Sequence, residues 1–243
     1  RVLFRQRWGY KRGKQDSAKF LQYEEEVVEP TYQALKAELI DKDVFDPIAI
    51  YAYYPCISHD NKLYIFDKKY LFNTLEESKN VPPLSEAIKV LEFPRQKRKP
   101  FRCIPDFFAN DRLDVIAFTL ASAGLKISDY ERSLYDKGEF TKYYQVHGLG
   151  VELAEALAEV LHKQIRLDLD IVPKEGHTLN DVQMKQYVGC RYSPGYAACP
   201  DLAMNRDIFD LLNPEEFGIE LSETFQMHPE QTTCAIVVTH KEA

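Results

Sequence analysis

Residues 47–67 read PIAIYAYYPCI, then SHDN, then KLYIFD. Two runs rich in Ile, Tyr and Phe flank four turn-forming residues, and that pattern predicts a β-hairpin. Further along, AIKVLEF (87–93) predicts another strand. DVIAFTLASAG (114–124) is apolar almost throughout, as a strand buried on both faces would be. GIELSETFQM (218–227) and TTCAIVVTH (232–240) predict a final hairpin. No βαβ alternation, glycine-rich phosphate loop or internal repeat interrupts this order. The class is therefore α+β with antiparallel strands, not a Rossmann fold.

Helical periodicity fills the rest. SAKFLQYEEEVVEPTYQALKAELID (17–41) carries apolar residues at helical spacing, with Pro30 expected to break or kink the run. From Ser128 to Arg166 the pattern is helical again, divided into two helices at Gly138 or at the Gly148/Gly150 pair. Leu149, Leu153, Leu157, Val160 and Leu161 form the expected apolar stripe. Glu152, Glu155 and Glu159 lie three and four apart on a neighbouring face, which reads either as a solvated face or as the wall of a cationic site. Short helices are expected near LNDVQMKQY (179–187) and MNRDIFDLLN (204–213). With no Pro/Gly/Ser-rich linker, one domain is the expectation.

The chain has 243 residues, 45% of them apolar, enough for a sizeable core, and a formal net charge of -7. That charge argues against a general nucleic-acid binder, and the basic run RQKRKPFR (95–102) reads as a solvated loop. The five cysteines are spread without CxxC spacing, so reduced thiols in a cytoplasmic protein are expected, with neither a zinc site nor a disulfide framework. No apolar run approaches the ~18 residues of a membrane span, and no signal peptide is present. Six cations precede the first acid, and the last residues, HKEA, follow a strand directly. Both ends read as cut from a longer polypeptide.

The loop RYSPGYAACP (191–200) carries the candidate chemistry. Pro194 presets φ for the second position of a turn and Gly195 supplies positive φ at the third, so Ser193–Tyr196 predicts a type II turn. Arg191 before it can fork onto a carboxylate, and Glu155 can accept from an ammonium. A ligand ending in an α-amino acid would satisfy both. Tyr196 adds an amphipathic ring. No histidine has metal-ligand spacing, and Ser193 lacks a G-x-S-x-G context.

Arg191, Gly195, Tyr196, Cys199 and Pro200, as R-x-x-x-G-Y-x-x-C-P, resemble the signature of the activation domain of cobalamin-dependent methionine synthase. EEEVVEPTYQALK (24–36), PDFF (105–108), ELAEALAEVLHKQIR (152–166), LSETFQMHP (221–229) and VVTH (237–240) resemble further segments of that family, in the same order. The resemblance implies a single C-shaped α+β domain around a twisted antiparallel sheet over residues 21–243, with 1–20 a basic segment leading from a preceding domain. It implies binding of S-adenosylmethionine and a methyltransferase role: reductive methylation of cob(II)alamin, carried by a neighbouring domain, back to methylcobalamin. The electron would come from a flavodoxin-type partner.

On the same resemblance, Arg191 would hold the methionyl carboxylate, backbone groups at Ser193 would meet the adenosine, Gly195 would belong to the same ligand-binding loop, Glu155 would lie near the ligand's amino-acid end, and Tyr196 would face the cobalt. Lys185 stands where a family acid helps bind the ligand. Gln6 and Trp8 stand where the family's N-terminal segment supplies an acidic contact. The other reading is a docking module that clamps the cobalamin domain without competent ligand binding.

Overall fold

The computed structural model of the chain describes residues 3–14, 16–171 and 187–242. The first hairpin forms as its composition dictates. Strand β1 (Ile48–His59) pairs antiparallel with β2 (Lys62–Ile65), His59 opposite Lys62. Ser58 and His59 extend the strand, so the turn is only Asp60–Asn61, with Asp60 at φ 54°. Next come β3 (Lys89–Glu92) and β4 (Asp114–Ser122). After a long helical stretch follow β5 (Cys190–Tyr192), β6 (Glu220–Leu221), β7 (Met227–His228) and β8 (Thr232–Val238). Six of them make one curled antiparallel sheet, ordered β3-β2-β1-β4-β8-β5.

Strand β4 lies in the middle, and its alternation explains its nearly unbroken apolar run. Ile116, Phe118 and Leu120 point into the main core, shared with Ile208, Phe209 and Leu212 of the short helix Met204–Leu212. Ala117 and Ala121 point to the opposite face, under a 29-residue helix, Phe140–Asp168. Burial on both faces leaves no position for a polar side chain to reach water.

The helices, in chain order, are α1 (Ser17–Tyr23), α2 (Glu29–Asp41), α3 (Leu125–Asp136), α4 (Phe140–Asp168) and α5 (Met204–Leu212). Pro30 does not break the first run. A π-helical turn, Glu24–Val28, joins α1 to α2, and Pro30 falls in the first turn of α2, where a missing N–H costs little. The second run divides at Gly138, while Gly148 and Gly150 stay inside α4. Those two glycines are contact points. A Cβ on Gly148 would stand 2.9 Å from Arg7 Cβ, and one on Gly150 would stand 2.9 Å from both Gln231 Cγ and Ile127 Cδ1.

Three expectations are corrected. On the sheet side of α4, Ala158, Leu161 and Ile165 are buried with Leu157 packed beside them; of the rest of the predicted stripe, Leu149 and Leu153 pack against the core around Phe4 and Trp8, and Val160 is 63% exposed. Small side chains let the helix axis sit close to the sheet, which hydropathy alone does not reveal. The final hairpin is β6 with β7, inside GIELSETFQM and the histidine after it, whereas β8 inserts between β4 and β5. Trp8 is a packing residue, buried with Phe4, Val28 and Leu35, its Nε1 donating to the Gln145 carbonyl at 2.9 Å. The helix expected near LNDVQMKQY, and Lys185 within it, lie outside the described residues apart from Tyr187.

Candidate functional site

The site grows from the sheet edge. Strand β5 pairs with β8, Arg191 opposite Val237, whose side chain packs with Ile165 of α4. Alternation therefore sends the Arg191 side chain toward α4. The approach is close because Gly189 precedes the strand: at φ 91°, a Cβ there would lie 2.6 Å from the Val238 carbonyl and 3.4 Å from His162 Nε2. Only glycine fits that conformation and that gap.

Helix α4 presents Glu155, Glu159, His162 and Arg166 along one face, spaced four, three and four. Arg191 Nη2 donates to Glu159 Oε1 at 2.8 Å and stands 3.9 Å from Glu155 Oε2. Tyr187 donates its hydroxyl to the same Glu159 carboxylate, 3.1 Å from Oε2 and 3.3 Å from Oε1. The guanidinium carbon of Arg166 lies 4.1 Å from the Tyr187 ring centroid, and the His162 ring meets Tyr187 edge-on at 5.2 Å.

Burial sets the charge states. His162 and Arg166 are each 1% exposed. Burial, with Arg166 and Arg191 nearby, pushes the His162 pKa down to about 3, so the ring is neutral. Burial and the Glu159 carboxylate push the Tyr187 phenol up to about 12, so it remains a donor at neutral pH. Burial also lowers the Arg166 pKa, but a guanidinium stays protonated. Among the described residues, Arg191 Nη1 is buried without a hydrogen-bond partner, as are Arg166 Nε and Nη1 and both His162 nitrogens.

Beyond the strand the chain turns as its residues predict. Pro194 is buried and Gly195 has φ 89° at the third turn position. The Gly195 N–H donates to the Cys199 carbonyl at 2.8 Å and the Cys199 N–H to Tyr196 O at 2.9 Å, so a second turn closes on the first. Tyr196 is left 73% exposed, Ser193 half-buried beside it. Cys199 is spent on packing: its thiol donates to Met204 Sδ, and burial pushes it up to about 12, where no reactive thiolate forms. The basic run 95–102 is a loop, tied down by Arg95 to Asp106 and by Arg102 to Glu242.

Arg191 and Glu155, 36 positions apart in the chain, thus come together, and Ser193, Gly195 and Tyr196 follow on the adjoining loop. Sequence reasoning missed the main partner of Arg191, Glu159, although the acidic spacing on α4 had already set that residue apart. It also missed His162, Arg166 and Tyr187, for which no local pattern gave a signal. The assembled groups suit a zwitterion: a guanidinium for a carboxylate, an exposed Glu155 for an ammonium, and an aromatic wall. Among the described residues, no three His, Cys, Asp or Glu side chains cluster as a metal site. No described helix is long and apolar enough to cross a membrane.

Known proteins share this arrangement of sequence and fold. The family model for the vitamin B12 dependent methionine synthase activation domain matches residues 5–243. The chain is 36% identical over 207 residues to methionine synthase of Mycobacterium tuberculosis (strain ATCC 25618 / H37Rv), and equally so to that of Mycobacterium leprae (strain TN). Each match covers 80% of this chain and 16% of the relative, so the chain spans about a sixth of their length. A crystal structure of the MetH reactivation domain bound to AdoHcy superposes with TM-score 0.75 at 23% identity, over 91% of this chain and 70% of that one.

Proposed function

Since the chain belongs to the family of vitamin B12 dependent methionine synthase activation domains, we propose that it binds S-adenosylmethionine beside Arg191 and serves the reductive methylation of cobalamin carried by a neighbouring domain. The observation that carries this reading is the divided guanidinium of Arg191. One nitrogen is held by Glu159 at 2.8 Å; Nη1 is buried and has no partner among the described residues. An orphaned buried donor costs roughly 1–3 kcal/mol, which an incoming carboxylate would recover. That the solved relative is bound to AdoHcy, the product left when S-adenosylmethionine gives up its methyl, supports the same ligand class.

In this reading Arg191 takes the ligand's carboxylate and Glu155, half-exposed, faces its ammonium. Backbone groups at Ser193 and Gly195 meet the adenosine. Tyr196, on the outermost part of the loop, faces the corrin of the docked domain. Cobalamin, when docked, supplies the metal that accepts the methyl group. The residues of this chain orient the sulfonium and keep water away, because the methyl donor is already activated and alignment is the remaining requirement. The reading calls for a flavodoxin-type electron donor as partner and for the cytoplasm as location, in keeping with five free cysteines.

The test is the KM for S-adenosylmethionine in reductive methylation by the intact enzyme. Arg191→Ala should raise it by roughly 30- to 150-fold, the equivalent of about 2–3 kcal/mol for a charge-assisted contact. An unchanged KM would remove Arg191 from the ligand site.

A further inference from the structure

Arg191 can serve a ligand only if its long side chain is held in one orientation, and the polar face of α4 shows how that is done. Glu159 accepts from Arg191 Nη2 and from Tyr187 Oη at once, the hydroxyl lying within 3.3 Å of both carboxylate oxygens. Two donors from different directions fix the carboxylate plane, which fixes the guanidinium and aims Nη1 away from Glu159. Tyr187 is itself fixed, with Arg166 4.1 Å over its ring and His162 edge-on at 5.2 Å.

Burying Arg166 and His162 is costly. Both are 1% exposed, and among the described residues Nε and Nη1 of Arg166 and both ring nitrogens of His162 lack hydrogen-bond partners. Apolar residues of the same volume would stabilise the fold at least as well. The guanidinium recovers part of its cost on the Tyr187 ring, an interaction that strengthens when desolvated. Both groups of this costly pair pack against a tyrosine behind the clamp, and what that tyrosine does explains them.

We propose that Tyr187, seated between Arg166 and His162, is a positioning residue of the carboxylate clamp, orienting Glu159 so that Arg191 presents Nη1 to the amino-acid end of the ligand. The proposal rests on the reading of Arg191 given above. The neutral forms of His162 and Tyr187 keep this arrangement unchanged through neutral pH.

The test compares two ligands that differ only in the carboxylate: S-adenosylmethionine and decarboxylated S-adenosylmethionine, each titrated into the parent, Tyr187→Phe, Arg166→Lys and Arg191→Ala. Thermal melts identify the variants that fold. Tyr187→Phe keeps the ring and loses one donor, and Arg166→Lys keeps the charge and loses the flat stacking surface. The parent should favour the carboxylated ligand. Tyr187→Phe should weaken S-adenosylmethionine by about five- to tenfold, the scale of one hydrogen bond, and leave the decarboxylated ligand within twofold. Adding Tyr187→Phe to Arg191→Ala should cost nothing further. If Tyr187→Phe and Arg166→Lys bind both ligands as the parent does, or weaken both equally, Tyr187 is structural only and the proposal falls while the ligand assignment stands. If the parent does not discriminate between the ligands, the clamp itself is wrong and the proposal falls with it.

Discussion

Arg191, Gly195 and Tyr196 lie within six residues, and each has a separate physical task. Arg191 supplies charge with directional donors, so lysine in its place keeps attraction and loses the fork. Gly195 supplies a conformation. Its φ of 89° costs any other residue strain, while the nearest atom to an added Cβ is Leu202 Cδ1 at 3.3 Å. Gly195→Val should therefore cost the fold only about 1–2 kcal/mol, a shift of a few degrees in Tm. It should lower S-adenosylmethionine affinity at least tenfold by redirecting the loop; a large drop in Tm with binding intact would show that the glycine serves packing instead. Tyr196 separates the two functional readings. If the domain only docks, its ring matters and its hydroxyl does not. If it works at the metal, Tyr196→Phe should leave domain association near normal and slow reductive methylation roughly tenfold, about 1.4 kcal/mol in barrier. Weakened association at an unchanged rate would favour docking.

At the scale of elements, α3, α4 and the chain entering β8 are joined by a buried polar knot. His147 Nδ1 lies 3.3 Å from Glu131 Oε2, which also accepts from Gln231 Nε2 at 2.7 Å, and Tyr143 stacks on the imidazole. The Glu131 carboxylate raises the His147 pKa above 6.5 against the opposing effect of burial; Glu230 adds to the rise and Arg7 opposes it. A raised folded-state pKa means that the pair's stabilisation is complete below pH 6.5 and fades as pH climbs through the folded value. Urea midpoints should accordingly decline from pH 6 toward pH 9, and His147→Gln should flatten that decline. An unaltered slope in the variant would mean that another group titrates.

The same elements show what a sequence discloses. The first hairpin, β4 and the turn at Gly195 were legible because local chemistry decides them: β-branched and aromatic runs, a strand apolar on both faces, a Pro-Gly pair. The passage through Pro30 was not, because a π-helical turn absorbs the proline and leaves no mark in periodicity. The sheet-facing side of α4 was legible only in part: Leu157 and Leu161 pack there as the stripe predicts, but Ala158 and Ile165 join them and Val160 turns to solvent. The pairing of β8 with β4 and β5 joins strands far apart in the chain, which no local pattern in β8 encodes. At the site, Arg191 and Glu155 were visible as residue types, but Glu159 became the nearer partner through helix phase, and Tyr187 meets Glu159 across 28 positions of sequence, beyond the reach of any local pattern.

For the whole molecule, the sheet is covered by α4 on one face and α5 on the other, and the candidate site sits at its β5 edge beside α4. Rigid elements fix Arg191 and Glu155, while the adjoining loop holds Tyr196 outward where a second domain can meet it. That division suits a domain that must hold a small ligand and present it to a cofactor carried elsewhere. The central claim is that the chain holds S-adenosylmethionine through Arg191, and calorimetric titration with that ligand tests it most directly. Saturable one-to-one binding is expected, with a loss of about 2–3 kcal/mol in Arg191→Ala at an unchanged fold and partial recovery in Arg191→Lys. Absence of binding by the parent, or equal affinity in Arg191→Ala, would contradict it.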